Sequence, residues 1–169
     1  LEDSLADLEK ICSLPGIKVM TRGNHDYWWS SLARVRSVLS NRTYALQNDK
    51  VSFDGITIVG SRGWIAPSSK GFTPADQKIY DRELMRMELS LKQAEHDKPI
   101  IAMIHYPPFD DRRGATGFTE LFEKYGVKSV VYGHLHGESC KYAFEGVFNG
   151  ITYTLCSADY LDFRPKEIM

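Results

Sequence analysis

The sequence predicts an α/β protein whose functional residues gather at the carboxyl ends of its strands, and three observations carry that prediction. Short, β-rich apolar runs at 17–21, 100–104 and 130–132 break abruptly into polar side chains. Each run ends in ligand-capable residues: Arg22-Gly23-Asn24-His25-Asp26, His105-Tyr106-Pro107-Pro108 and Gly133-His134-Leu135-His136. The segments between carry apolar residues at helical spacing. Open α/β sheets bind ligands outside the carboxyl ends of their strands, so the three endings are expected to face one crevice.

With 169 residues, 43% hydrophobic and 25% charged, the chain is expected to form one domain spanning 1–169. A formal net charge of -1 with no dense Lys/Arg block gives no general attraction to nucleic acid or to an anionic membrane surface. No apolar stretch is long enough to span a bilayer, and no charged-then-apolar leader is present. Cys12, Cys140 and Cys156 are widely spaced and contain no Cys-x-x-Cys, which points to reduced, mostly core thiols in a cytoplasmic protein.

Taken in order, Leu1, Leu5, Leu8, Ile11 and Cys12 share one face of an opening helix that Pro15-Gly16 ends. After the first strand, Ser30-Ser31 caps a helix striped by Leu32, Val35, Val38 and Leu39. Trp28 and Trp29 are expected to pack rather than to stack a ligand ring. Runs at 44–46, 51–53 and 56–59 are expected strands, with Asp54-Gly55 a hairpin turn, and are assigned to an antiparallel portion of the sheet system. Arg62, in Gly60-Ser61-Arg62-Gly63-Trp64, either clamps a phosphate with its planar fork or caps backbone carbonyls.

Thr73-Pro74 starts the longest helix, striped by Tyr80, Leu84, Met87, Leu91 and Ala94, with its charges on the solvated face. His96 is expected as a favourable charge at that helix's carboxyl end. The loop at 110–114 is charged and expected to be solvated, and a short helix at 119–125 stops at Gly126. A strand at 127–132 then delivers His134 and His136, two imidazole donors suited to a borderline divalent cation. A hairpin of 142–148 and 151–155 turns at Asn149-Gly150, and the tail at 157–165 is expected to close against the sheet edge.

Gly23-Asn24-His25-Asp26, a strand ending at His105, and Gly133-His134-Leu135-His136 resemble, in that order, the motif set of the calcineurin-like metallophosphoesterases. Asp26-Tyr27-Trp28-Trp29, Gly63-Trp64 and Asp159-Tyr160-Leu161 resemble a bacterial branch of that family described as phosphohydrolases. The resemblance covers essentially the whole chain. It implies a metallophosphoesterase-like β-sandwich flanked by helices, in four layers α/β/β/α, and two divalent metal ions, manganese, iron or zinc. Asn24, His105 and His134 would hold one metal and His136 the other, while His25 would lie over the leaving group of a small phosphorylated substrate. Asp26 is then the candidate to orient His25, and Arg62 the candidate to hold substrate phosphate.

The family pattern also carries an Asp-x-His on its first strand and a Gly-Asp after its second, and neither occurs here. The opening helix is similar to the segment that soon follows the bridging aspartate. The expectation is therefore a fold missing its first strands, with weak metal binding. Its apolar sheet edges would be covered by homo-oligomerisation, strand exchange or the missing amino-terminal segment. Two other functions stay open: a non-catalytic binding or scaffold module of the same fold, and a nuclease of the same fold, against which the net charge weighs.

Overall fold

The computed structural model describes residues 1–168, and these form a two-sheet sandwich with helices outside both sheets. Strand β1 (Lys18–Thr21) pairs with β2 (Thr43–Leu46) in a two-stranded parallel sheet. Strands β3 (Lys50–Phe53), β4 (Ile56–Ser61), β5 (Ile100–Ile104), β6 (Ser129–Tyr132), β7 (Gly146–Phe148) and β8 (Ile151–Leu155) form the second, in the order β3-β4-β5-β6-β8-β7. Its centre, β4-β5-β6-β8, is parallel, and antiparallel hairpins close both edges. The turn chemistry is legible in the sequence: Asp54-Gly55 and Asn149-Gly150 all have positive φ, the geometry of a two-residue hairpin turn.

Burial explains the layers. Leu46 meets Val51, Ile58 and Ile101 between the two sheets, with Val19 and Met103 beside them. On the opposite face of the large sheet, helices α3 (Pro74–Lys92) and α4 (Gly117–Lys124) place Met87, Leu91, Phe118 and Phe122 against Val59, Ala102 and Val130. Outside the small sheet, Val35 of α2 (Leu32–Arg36) and Trp29 pack on Ala45, so the expected packing role holds for Trp29. The amino-terminal helix α1 (Leu5–Ser13) buries only Leu8. Capping obeys the sequence: Ser31 Oγ accepts from Arg34 N–H, and Thr73, Pro74 and Asp76 form a capping box with proline in the first turn.

Several expectations are corrected. The β2 segment belongs to no antiparallel unit; it runs parallel to β1, with Thr43 in register with Lys18 and Leu46 with Thr21, because the intervening helix α2 packs Val35 on Ala45 of its outer face while Leu46 faces the large sheet. Residues 142–145 are not strand, since Gly137–Tyr142 winds as a 3-10 turn and β7 begins only at Gly146. The charges of α3 are not all solvated: Glu83 is fully buried. The loop at 110–114 is solvated as expected, with Asp111, Arg112 and Arg113 exposed, and is anchored as well, for Asp110 accepts from Ser68 Oγ and from the N–H groups of Arg112 and Gly114, while Asp111 accepts from Lys70 N–H. None of the thiols is a core residue; Cys12 and Cys140 are half-buried and Cys156 is exposed. His96 stacks on Tyr125, with ring centroids 6.1 Å apart. No helix of the described residues is long and apolar enough to cross a membrane.

Candidate metal centre

Thr21, Gly23, Asn24, His25, Asp26, His105, His134 and His136 line one cavity of about 290 Å³. The carboxyl ends of β1, β5 and β6 therefore open into a single crevice. Backbone hydrogen bonds lock the ends together: His105 and Tyr106 N–H both donate to Arg62 C=O, and Gly133 N–H donates to His105 C=O. Gly23 sits in close quarters: a Cβ there would lie 3.1 Å from His105 Cε1 and 3.2 Å from Asp26 Oδ2, and both side chains would have to shift by a few tenths of an ångström.

Three donors converge. Asn24 Oδ1 lies 2.7 Å from His105 Nε2, which lies 3.3 Å from His134 Nδ1. Donors held about 2.1 Å from one metal at right angles to each other would stand about 3 Å apart, so this spacing fits a divalent ion with nitrogen and oxygen ligands. Their protonation suits it as well. Burial first, and then the neighbouring His134, push the His105 imidazole down to about 4. Burial, then His136 and His25, also lower His134. Both rings are neutral near pH 7, the form a metal needs.

His134 is held in an unusual backbone conformation. Its φ is +72°, and Leu135 N–H donates to Gly133 C=O across it at 2.9 Å. This is the strained form of the three-residue turn, costing about 1–3 kcal/mol for a residue with a Cβ. The strain permits an abrupt exit from β6 that sets the ring against His105, stacked on Tyr106 with centroids 4.1 Å apart.

The imidazole of His136 is held from behind. Its Nδ1 lies 2.8 Å from Asp159 Oδ1, and the other Asp159 oxygen accepts from Gly137 N–H at 2.7 Å. The Gly137 N–H first, and then His136, hold the Asp159 carboxyl below its ordinary range. With Nδ1 engaged, His136 keeps Nε2 for the cavity, an arrangement that orients metal-binding histidines. His25 is exposed at the rim, edge-on to Tyr27. The Asp26 carboxylate makes no hydrogen bond to it; it closes its own loop by accepting from Gly23 N–H at 2.6 Å and Trp28 Nε1–H at 3.0 Å. Arg62 lies outside this cavity, paired with Glu83 and stacked 4.5 Å from the Trp64 ring centroid.

Sequence reasoning missed Asp159 as a partner of His136 and Glu83 as a partner of Arg62. The first left a trace only in the Asp159-Tyr160-Leu161 stretch; the second left only its position, three residues after Tyr80 and four before Met87 at the edge of the apolar stripe. Among the described residues no group of three or more His, Cys, Asp or Glu side chains converges on one point. The third converging donor is an amide oxygen, so the set formed by Asn24, His105 and His134 is neutral.

No curated protein and no solved structure matches the chain. A family model does: calcineurin-like phosphoesterase, over residues 2–138. That span takes in Asn24, His25, His105, His134 and His136, the residues that line the cavity, and the two-sheet sandwich is the one that such a family expects. The chain belongs to the calcineurin-like phosphoesterase family.

Proposed function

We propose that the protein hydrolyses a phosphate mono- or diester of a small phosphorylated substrate. Asn24, His105 and His134 hold one divalent metal, manganese, iron or zinc, and His136 holds a second. The observation that carries this reading is the convergence of Asn24 Oδ1, His105 Nε2 and His134 Nδ1 in the same cavity as His25 and His136. A metal pair bound there supplies a hydroxide near neutral pH and neutralises charge on the phosphate oxygens.

The chain's own residues do the rest. The buried, neutral His105 and His134 present lone pairs, while Asp159 fixes the ring of His136. His25, exposed at the rim, donates a proton to the departing oxygen. A cleft of about 140 Å³ shares His134 with the metal cavity and is lined by Ile65, Ala66, Phe109 and Tyr142, and it receives the leaving group. The free thiols fit a cytoplasmic setting.

Replacing His25 with alanine is expected to lower kcat on an aryl phosphate about 10²-fold while metal content stays unchanged. Steady-state kinetics with elemental analysis checks this, and an unaltered kcat removes His25 from the chemistry. The non-catalytic scaffold reading draws on one observation, the neutral donor set, and an inactive but metal-retaining wild type would favour it.

Among the described residues β1 pairs only with β2, so one edge of Lys18–Thr21 has no strand beside it. Such edges recruit strands. The chain is therefore expected to run above its monomer mass of 19.2 kDa in light scattering behind a sizing column. A monodisperse monomer at high concentration contradicts that expectation.

A further inference from the structure

A second cleft, of about 190 Å³, lies between the carboxyl ends of β1, β2 and β4 and the middle of α3. Four guanidinium groups, Arg22, Arg62, Arg82 and Arg86, line it against a single carboxylate, Glu83. Arg62 and Arg86 both donate to the same oxygen, Glu83 Oε1, at 3.2 and 2.7 Å. Glu83 Oε2 is left without a hydrogen-bond partner although the side chain is 0% exposed. Thr21 Oγ1, Arg22 Nε and Arg62 Nε are likewise buried and unpaired, and among the described residues neither Arg22 nor Arg82 has a carboxylate partner. Positive charges so close repel one another; burial first, then Arg22 and Arg82, lower the Arg62 pKa, and only Glu83 and Tyr106 oppose them.

We propose that this cleft is a binding site for a phosphate group. Its unmet needs select the ligand. Excess guanidinium excludes a metal cation and calls for an anion with several acceptor oxygens, which planar forks grip in pairs. Glu83 Oε2 calls for a donor from the same ligand. A carboxylate has none to give, whereas a hydrogen phosphate carries one P–OH beside its acceptor oxygens. Thr21 lines both this cleft and the metal cavity, so a phosphate here sits next to the metal centre. The phosphate is either a second phosphate on the substrate or free orthophosphate. The site stands without hydrolysis; its use by a substrate rests on the phosphoesterase reading above.

Titration calorimetry of inorganic phosphate into the chelator-treated chain tests the site without turnover. One binding event is expected, weakened at least tenfold in Arg82→Met or in Arg22→Met, and unchanged in His134→Ala. Arg82 lies on the exposed face of α3, so its replacement spares the core. No binding, binding that both arginine variants leave intact, or binding lost in His134→Ala overturns the proposal. Kinetics on phenyl phosphate and on 1,3-phenylene bisphosphate then separate the two sources. A bisphosphate KM about tenfold lower, with the advantage lost in Arg82→Met, assigns the site to the substrate. Equal KM values with phosphate binding intact assign it to free orthophosphate.

Discussion

Replacing Glu83 with leucine is expected to lower the unfolding free energy by about 3 kcal/mol, the usual scale for breaking a buried ion pair from one side. Glu83 is fully buried, and Arg62, with a side chain only 16% exposed, depends on it. Without the carboxylate, Arg62 faces Arg22, Arg82 and Arg86 with no anion nearby. For a chain of this length that loss corresponds to a fall in Tm of about 6–12 °C. Denaturant unfolding checks it. Glu138, whose side chain is 94% exposed beside Lys141, is the control, and Glu138→Leu is expected to leave stability unchanged because exposed pairs contribute little. A Glu83 variant as stable as wild type contradicts the buried ion pair.

His134 yields the second large effect, in two opposite directions. His134→Gly is expected to be more stable than His134→Ala by about 1 kcal/mol, since glycine adopts φ +72° without the Cβ penalty. Both variants should lose metal, because each removes the donor 3.3 Å from His105 Nε2. Unfolding curves of the metal-free variants, paired with metal titrations of each, separate the two effects. Equal stability of the two variants would mean that the turn at His134 holds no strain.

The contrast between these residues shows what a sequence carries. His134 is legible because its signal is local: an apolar run, a glycine and two imidazoles lie within eight positions. The same holds for Asn24 and His105, and for the hairpin turns at Asp54-Gly55 and Asn149-Gly150. Glu83 is only partly legible: its place three residues after Tyr80 and four before Met87 sets it at the edge of the apolar stripe, but its partner Arg62 lies 21 residues away. Asp159 meets His136 across 23 residues of chain, and no local pattern joins them. The parallel pairing of β1 with β2 is hidden for a related reason, since strand direction is set by how the intervening helix packs. Arg62 stands out for its fork, but its partners become visible only in three dimensions.

The most direct test of metal-dependent phosphoester hydrolysis at this centre is elemental analysis of the manganese-loaded chain. It is paired with hydrolysis of an aryl phosphate by wild type and His134→Ala. Expected are metal that dialysis partly removes, as a neutral donor set implies, and turnover that rises with added manganese and vanishes in His134→Ala. Turnover that His134→Ala retains, or that a chelator leaves untouched, would place the chemistry elsewhere in the molecule.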